Sequence, residues 1–459
     1  MAFETVNPTT GEPGKSYDEH DQDEVIWRLA KSEETFHDWR ATPFDERAAL
    51  LDRVADMLEE REDELAELMV TEMGKPITGA RSEVNKCAWV CRHYAENGER
   101  YLQHDHIDTD AERSYVRFDP LGPLFAIMPW NFPLWQAFRA VAPNVMAGNT
   151  VLLKHASNVP GCALAIEDLF TAADAPQGLF QTLMIHSDQA AEVIADERVR
   201  AVTLTGSVGA GRKVAEQAGA HLKKTVLELG GSDAFIVLDD ADLDHTVPLA
   251  VQSRLINNGE SCIAAKRFIV VESIRDEFVE RFKEELESVV VGDPMDPDTD
   301  VGPLAREDLR DDLHDQVQRT VDSIGAELLV GGKPIDGPGY FYEPTLITGV
   351  EAEMPGAQEE TFGPAAVVIS AEHEEAAIAL ANSSDFGLGT SVWTTDLERG
   401  ERVAAQVSAG CLFVNQLVKS DPRVPFGGVK NSGYGRELGE YGIKEFVNTK
   451  TVWVEKPGS

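Results

Sequence analysis

Apolar residues recur at spacings of three and four between residues 22 and 103, which predicts helices. We expect three helices in this stretch. The aromatic residues Trp27, Phe36 and Trp39 are predicted to pack inside this helical layer. Polar and apolar side chains alternate over residues 105–119, a pattern that is typical of an exposed hairpin.

From residue 121 the chain alternates short apolar runs with helical stretches, which indicates mostly parallel sheets covered by helices. In the first unit the predicted strands are 123–128, 150–153, 179–185, 200–204 and 225–229, and the predicted helices are 135–146 and 161–171. The pair Gly230-Gly231 predicts a hinge into a second α/β unit. Its predicted strands are 234–238, 267–271, 366–369, 390–393 and 411–414, and its predicted helices are 242–255, 274–290 and 307–324. Ligands are expected at the carboxyl ends of the strands.

The charge balance is the unusual feature of the composition. The 459 residues include 80 acidic and 41 basic side chains, so the net charge is −39. Nucleic acid and anionic membranes carry the same sign and are disfavoured as partners. Such acidity resembles that of halophilic proteins, whose carboxylates are screened by a salt-loaded cytoplasm. The remaining composition is that of a soluble globular protein of two or three domains.

The cysteines indicate a reducing compartment. There are five, scattered along the chain without zinc-type spacing, so neither a disulfide framework nor a metal site is expected. The N-terminus lacks the basic and apolar regions of a secretory signal. Because no apolar run approaches the ~20 residues that span a bilayer, the sequence predicts a cytoplasmic protein without a membrane partner.

Three separate stretches carry candidate chemistry. Cys262 follows small and polar residues at 257–261, just before an apolar run, and is the candidate nucleophile. Glu228 ends an apolar run 34 residues upstream, where burial would raise its pKa and suit it to act as a base. Asn131 lies between two prolines in 129–133 and could donate its amide to a developing oxyanion.

These pieces, in this order and at these spacings, resemble the aldehyde dehydrogenase superfamily of NAD(P)-dependent enzymes. Further matching motifs stand at 7–11, 360–364 and 425–428, so the resemblance covers almost the whole chain. It implies a Rossmann-type cofactor domain, an α/β catalytic domain and a small oligomerisation hairpin. The corresponding ranges are 1–104 and 120–230 for the cofactor domain, 105–119 and 440–459 for oligomerisation, 231–420 for catalysis and 421–439 for the return segment. Family members are homodimers or homotetramers.

The resemblance also implies the reaction. The Cys262 thiolate would attack an aldehyde, and the Asn131 amide would stabilise the oxyanion together with the Cys262 backbone N–H. Hydride would pass to the nicotinamide, and Glu228 would activate the water that hydrolyses the thioester. Glu260 stands where the family most often has glutamine, so we expect its charge to raise the pKa of the thiol.

The cofactor is expected to be NAD or NADP. By resemblance, Lys154 would bind the adenosine ribose. Ser157 replaces the glutamate that selects NAD, so NADP is permitted and NAD is not excluded. His155 is either a positive charge near a 2′-phosphate or a surface-loop histidine.

The loop at 205–211 precedes a predicted helix whose N-terminus could bind a pyrophosphate. The resemblance assigns this role to Gly206, Ser207 and Gly211. Glu360 and Phe362 would hold the nicotinamide ribose and ring, and Trp130 is assigned to the same cofactor site.

The expected substrate is succinate semialdehyde, which would be oxidised to succinate. By resemblance, Arg139 and Ser420 match an arginine and a serine that bind the substrate carboxylate in semialdehyde dehydrogenases. The second arginine of the better-known enzymes falls at Ile256, so Arg254 or Lys419 could substitute. The runs 154–158 and 228–233 look like those of the shorter bacterial enzymes of this type.

Several alternatives stay open at this point. The substrate could be another semialdehyde or a neutral aliphatic aldehyde, and a catalytically idle scaffold is a further alternative. A CoA-acylating enzyme is disfavoured because Glu228 is present. Trp135 and Trp393 could line a substrate tunnel or pack in the core.

Overall fold

The computed structural model describes residues 2–457. In chain order its helices are α1 (Gln22–Trp39), α2 (Phe44–Glu60), α3 (Glu62–Met73), α4 (Ile77–Tyr101), α5 (Trp135–Ala147), α6 (Pro160–Ala172), α7 (Ala190–Ala195), α8 (Val208–Ala220), α9 (Leu243–Leu255), α10 (Glu272–Glu287), α11 (Glu307–Val321), α12 (Pro355–Gln358), α13 (Glu374–Asn382), α14 (Leu397–Ala404) and α15 (Gly439–Ile443).

The strands, in chain order, are β1 (Ala2–Val6), β2 (Pro13–Asp18), β3 (Asp105–His106), β4 (Arg113–Pro120), β5 (Leu124–Met128), β6 (Val151–His155), β7 (Phe180–Thr182), β8 (Ala201–Thr205), β9 (Lys224–Glu228), β10 (Asp233–Val237), β11 (Ala265–Val271), β12 (Glu327–Val330), β13 (Thr345–Thr348), β14 (Ala365–Ala371), β15 (Gly389–Trp393), β16 (Cys411–Val414), β17 (Gly433–Tyr434) and β18 (Val447–Val454).

The helical layer before residue 103 contains four helices, so the prediction of three was wrong. Arg61 alone separates α2 from α3, and its φ of −106° and ψ of 19° lie outside the helical region. The apolar spacing continues across this short break and hides it from the sequence. Phe36 and Trp39 are buried as predicted, but Trp27 is 44% exposed and the prediction for it was wrong.

A six-stranded sheet forms the first α/β unit, in the order β17-β9-β8-β5-β6-β7. Its five longer strands are parallel, and only the short β17 runs antiparallel to β9. Every residue of β6 and β8 is buried. Burial on both faces explains why these strands are continuous apolar runs in the sequence.

A seven-stranded sheet forms the second unit, in the order β12-β13-β14-β11-β10-β15-β16. All neighbouring pairs are parallel except β12 with β13. The last long strand of the first sheet ends at Glu228, and the second sheet begins at Asp233 with the two glycines between them. The predicted mixed α/β fold class, with two mostly parallel sheets, is confirmed.

A third, three-stranded sheet pairs the hairpin with the C-terminal tail. Strand β18 runs antiparallel to β4 over eight residue pairs, from Val447 opposite Pro120 to Val454 opposite Arg113. The side chain of Trp453 on this sheet is 51% exposed. Within residues 2–457, none of the helices is long and apolar enough to cross a bilayer.

Candidate active site

The catalytic loop, residues 257–262, is held in an unusual backbone conformation by asparagine side chains. Asn257 and Asn258 both have left-handed backbone angles, with φ of 54° and 60°. Asparagine tolerates this region better than most residues do. The Asn258 amide donates to the carbonyls of Gly74 and Pro303 at 3.1 and 2.9 Å. These bonds hold the loop against two segments that are distant in the sequence.

Two buried cationic side chains, Lys266 and Arg254, also hold this loop in place. The Lys266 ammonium donates to the carbonyl oxygens of Ser261, Cys262 and Ala264 at 2.9, 2.8 and 3.1 Å. Arg254 donates to the carbonyls of Gly259 and Ala265 at 2.6 and 2.9 Å. These contacts give the carbonyls of a buried turn hydrogen-bond donors from side chains. Arg254 is therefore committed to the loop and does not replace the missing second arginine.

Cys262 is one of two partly exposed cysteines, and the other is Cys411; Cys87, Cys91 and Cys162 are buried. Burial raises the pKa of the Cys262 thiol to about 12, while the charges of Arg139 and Lys266 act in the opposite direction. The thiol therefore carries its proton in the free protein at neutral pH.

The expectation for Glu260 was wrong. Its side chain is fully buried, and its Oε1 accepts the Ala305 N–H at 3.0 Å. Burial raises the pKa of Glu260 well above its usual range, while the hydrogen bond from Ala305 and the charges of Arg306 and Lys75 act in the opposite direction. The pKa of Cys262 is raised mainly by burial rather than by this neighbour.

Asn131 lies against the catalytic loop. Its side-chain Nδ2 donates to the Glu260 carbonyl at 3.0 Å, and its own carbonyl accepts from the Asn257 amide at 2.8 Å. The side chain is 5% exposed. These two bonds bring the amide to the loop that carries Cys262, although 131 residues separate Asn131 and Cys262 in the sequence.

Glu228 ends β9 and is 2% exposed. Neither carboxylate oxygen has a hydrogen-bond partner within residues 2–457. Burial, followed by the charge of Glu437, raises its pKa well above the usual range, whereas Arg139 and Arg436 favour the ionised form. A Cβ atom added at Gly427 would lie 2.6 Å from Glu228 Oε1, so the motif at 425–428 packs directly against this carboxylate.

Arg139 lies inside the protein between the catalytic groups. Its guanidinium forms an ion pair with Glu437, stacks over the Phe426 ring at 4.8 Å and donates to Thr205 Oγ1 at 3.3 Å. Its charge favours the ionised forms of both Cys262 and Glu228. The sequence did not identify Glu437 as its partner, since nothing in the local pattern around position 437 distinguishes a buried carboxylate.

Ser420 is 5% exposed and lies in a polar pocket. The Lys86 ammonium and the Trp135 indole Nε1 both donate to its hydroxyl, at 2.8 and 3.1 Å. We call these three residues the Ser420 pocket. Trp393, by contrast, is fully buried and stacks on Phe235 with ring centroids 4.8 Å apart, so it belongs to the core.

The residues predicted to contact the adenosine lie around the end of β6. Lys154 is 6% exposed, and its ammonium donates to the His155 carbonyl at 3.2 Å. Ser157 is exposed and lines a cavity of about 300 Å³ with Asn158 and Arg306. A serine hydroxyl here brings no negative charge against a phosphate.

Both interpretations of His155 were wrong. The ring is 6% exposed, and it bonds the Pro133 carbonyl through Nε2 and the Ala156 N–H through Nδ1, at 2.8 and 2.9 Å. Burial lowers the pKa of His155 to about 4, so the ring is neutral at physiological pH. It connects the end of β6 to the turn that carries Asn131.

The loop predicted to bind the pyrophosphate lies between β8 and α8. Gly206 follows β8, and Ser207 caps α8 by accepting the Ala210 N–H at 3.3 Å. A Cβ at Gly211 would come within 2.6 Å of Leu229, so glycine allows α8 to pack closely. The free N–H groups at this helix start lie at the carboxyl edge of the parallel sheet, where an anion is stabilised.

Glu360, which was predicted to hold the nicotinamide ribose, contacts the glycine pair between the sheets. Its Oε1 accepts the Gly231 N–H at 2.8 Å, and its other oxygen leaves no room for a Cβ at Gly230. Phe362 meets Trp130 edge to face, with ring centroids 5.7 Å apart. Gly230 is therefore required by the close approach of this carboxylate, whereas a Cβ atom at Gly231 would lie 2.5 Å from the Cys262 carbonyl oxygen.

A partly exposed thiol, an amide hydrogen-bonded to its loop and a buried carboxylate, in a protein with two mostly parallel α/β units, define a cysteine-dependent enzyme of the dinucleotide-binding type. Residues 1–452 match the model described as the aldehyde dehydrogenase family, and the chain belongs to that family.

Relatives are similar along their whole length. A probable succinate-semialdehyde dehydrogenase (NADP(+)) of Synechocystis sp. is 51% identical over 454 residues, covering 99% of this chain and 100% of the relative. A succinate-semialdehyde dehydrogenase (NADP(+)) of Mycobacterium avium is 49% identical over 458 residues, covering 99% and 97%. The crystal structure of succinic semialdehyde dehydrogenase from Streptococcus pyogenes in complex with NADP+ matches with a TM-score of 0.97 and 40% identity, covering 99% and 100%.

Proposed function

We propose that this enzyme oxidises succinate semialdehyde to succinate with NADP or NAD as the hydride acceptor. The observation that carries the proposal is the group of cations and hydrogen-bond donors around Arg139, whose charge acts both on Cys262 and on Lys86 of the Ser420 pocket. An aldehyde with a distal carboxylate suits such a site, since arginine, lysine and hydroxyl donors bind carboxylates well. The names of the relatives support the same substrate.

Each step of the proposed reaction is assigned to residues of this chain. The Cys262 sulfur attacks the aldehyde carbon and loses its proton to solvent, and the carbonyl oxygen becomes an oxyanion beside the Asn131 amide. A nicotinamide cofactor, held by the residues named below, would supply the hydride acceptor, and the acyl group would then be left on the sulfur as a thioester. Glu228 then takes a proton from the water that attacks the thioester, so the acid leaves and the thiol is restored. Ionisation of Glu228 is aided by Arg139 and Arg436.

The residues around the cofactor site fit a dinucleotide with a 2′-phosphate. Ser157 presents a hydroxyl rather than a carboxylate, and Lys154 and Arg306 supply positive charge near it. Gly206, Ser207 and Gly211 would hold the pyrophosphate at the start of α8. Trp130, Glu360 and Phe362 would surround the nicotinamide riboside in this arrangement.

We also infer a cytoplasmic, salt-adapted homodimer or homotetramer whose contacts involve β4 and β18. The support is the net charge of −39 and the exposed face of the three-stranded sheet. Activity and melting temperature should both rise with KCl concentration. Full activity of the purified protein at low ionic strength would overturn the salt adaptation, and light scattering would give the oligomer size.

The deciding experiment measures initial rates with succinate semialdehyde and with butanal, which has the same chain length but no carboxylate, at saturating NADP or NAD in molar salt. We expect kcat/KM to favour the semialdehyde by ~100-fold, roughly 2.7 kcal/mol. Equal values would indicate a general aldehyde dehydrogenase. Absence of turnover with both aldehydes would indicate an idle scaffold.

A further inference from the structure

Lys86 places a positive charge beside the predicted substrate-binding serine, although nothing in its sequence context marks it out. It lies on α4, partly buried, and its ammonium contacts Ser420 Oγ at 2.8 Å. The same ammonium stacks over the Trp135 ring at 4.3 Å from its centre. Helix α4 therefore brings a cation to a serine that is 334 residues away in the sequence.

The hydrogen bonds of the Ser420 pocket leave donors in excess. The Ser420 oxygen already accepts from Lys86 and from the Trp135 indole. A hydroxyl oxygen has two lone pairs, so its own O–H must donate elsewhere, and it finds no acceptor within residues 2–457. Two of the three N–H groups of Lys86 are likewise without a protein acceptor in this part of the chain.

The charge of Lys86 is also uncompensated. Across the described residues, no carboxylate oxygen lies within ion-pairing distance of its ammonium. The neighbouring cation Arg139 is already paired with Glu437. A partly buried ammonium without a counterion is costly unless a ligand supplies the negative charge. Spare donors and uncompensated charge together favour a carboxylate as the ligand.

The other cations considered for this task are placed differently. Arg254 is fully buried and donates to loop carbonyls. Lys419 is exposed, next to the buried Ser420, so its side chain points away from the pocket. Lys86 is thus the cation in direct contact with Ser420.

We propose that Lys86 is a specificity-determining residue, whose ammonium and the Ser420 hydroxyl together bind the distal carboxylate of the semialdehyde. This inference rests on the proposed function and names the residue that takes the place of the second arginine. Arg139 adds its charge from the catalytic side, while Lys86 makes the direct contact. Burial, followed by the charge of Arg139, lowers the pKa of Lys86 to about 8, so the ammonium is still mostly protonated at pH 7.

The test compares kcat/KM for succinate semialdehyde and butanal in the wild type, in Lys86→Met and in Lys86→Arg. We expect Lys86→Met to lower the preference for the semialdehyde by roughly 10- to 100-fold, mostly through KM, because a charge-assisted bond is lost. Lys86→Arg should restore most of the preference. The inhibition constant of succinate should rise in Lys86→Met by a similar factor, which reports binding without turnover.

Lys419→Met is the matched control, because it removes a positive charge from the neighbour of Ser420 without touching the pocket. An equal loss of preference in this variant would mean that the overall positive electrostatic potential of the region, and not a contact with Lys86, selects the substrate. A melting curve for each variant, with Lys86→Gln as a second substitution, separates lost binding from lost folding.

A combination with Ser420→Ala separates direct contact from positioning. If Lys86→Met causes no further loss once Ser420 is alanine, Lys86 only positions the serine and the proposal is overturned. A further loss in the double variant supports direct contact. A wild type without preference for the semialdehyde would refute the proposed function, whereas a preference that survives Lys86→Met would refute only this inference.

Discussion

Lys266 and Lys86 are both lysines withdrawn from solvent, fully for Lys266 and partly for Lys86, but their ammonium groups have different partners. The Lys266 ammonium has three backbone carbonyl acceptors, all within the loop region. The Lys86 ammonium has one serine hydroxyl and an indole ring. The first lysine has all of its donors satisfied by the protein, whereas the second keeps donors for another molecule.

This difference separates a structural cation from a recognition cation. An ammonium group has three N–H donors, and a site that fills all three has no capacity left for a ligand. The catalytic loop must hold Cys262 and the Asn131 amide in fixed positions, which requires rigidity. The Ser420 pocket must instead accept and release a charged substrate, which requires unsatisfied donors. The four predictions below test the roles assigned to the catalytic loop and to the Ser420 pocket.

The largest effect is expected at the thiol. Cys262→Ala should lower turnover by ~1000-fold or more with both aldehydes, because the nucleophile is lost. Steady-state rates of cofactor reduction measure this. Cys411→Ser is the matched control, since Cys411 is the other partly exposed cysteine, and it should retain turnover. Substantial activity in Cys262→Ala would refute the covalent route.

Loss of the Asn131 amide should come next. Asn131→Ala removes an oxyanion donor and should lower kcat by roughly 100-fold or more. The loss should be equal for succinate semialdehyde and butanal, because the amide acts on the reacting carbonyl and not on the distal carboxylate. A loss confined to the semialdehyde would instead assign Asn131 to recognition. Near-normal kcat with both aldehydes would remove it from the mechanism.

The two lysines should differ in stability. Lys266→Met removes a buried ammonium that donates to three backbone carbonyls and should reduce the free energy of unfolding by roughly 2–5 kcal/mol. Lys86→Met removes an unpaired charge and should change it by less than ~1 kcal/mol or raise it. Urea denaturation monitored by tryptophan fluorescence measures both. Equal losses would erase the distinction between the two sites.

The smallest effect is expected from pH. The pKa of Lys86 is lowered to about 8, so its charge is present below pH 8 and is lost as pH rises through that value. KM for succinate semialdehyde should therefore rise relative to KM for butanal by up to ~10-fold per pH unit above 8. The ratio cancels titration of the catalytic groups that act on both substrates. The charged and titratable groups around Lys86 are Glu83 and Cys87 on α4, Arg139 on α5 and Asp421.

In Lys86→Met the KM ratio should be flat over this pH range. A slope that survives the substitution would assign the titration to one of the neighbouring groups. The same comparison with Lys86→Arg should also be flat, because arginine keeps its charge throughout.

Much of the fold followed from local pattern. Most parallel strands of the two sheets are largely buried, so they appear in the sequence as short apolar runs, and these were predicted to within a few residues. The parallel strand β13 was not predicted, and β16 is only partly buried. The hairpin of β1 and β2 was not predicted, because β2 is almost entirely exposed and has no apolar pattern. The break at Arg61 was hidden because helical spacing continues on both sides of it.

The sequence by itself determined the fold class, the family and the candidate nucleophile, base and amide, since each is carried by a short local motif. Only the tertiary structure decided the burial and the hydrogen-bond partners of the polar residues around them. It buried Glu260 beside the Ala305 N–H, satisfied His155 with backbone partners and surrounded Lys266 with carbonyls. It also brought Lys86 to Ser420. Such contacts join residues far apart in the chain, and their energies depend on burial and on partner atoms, which local periodicity does not encode.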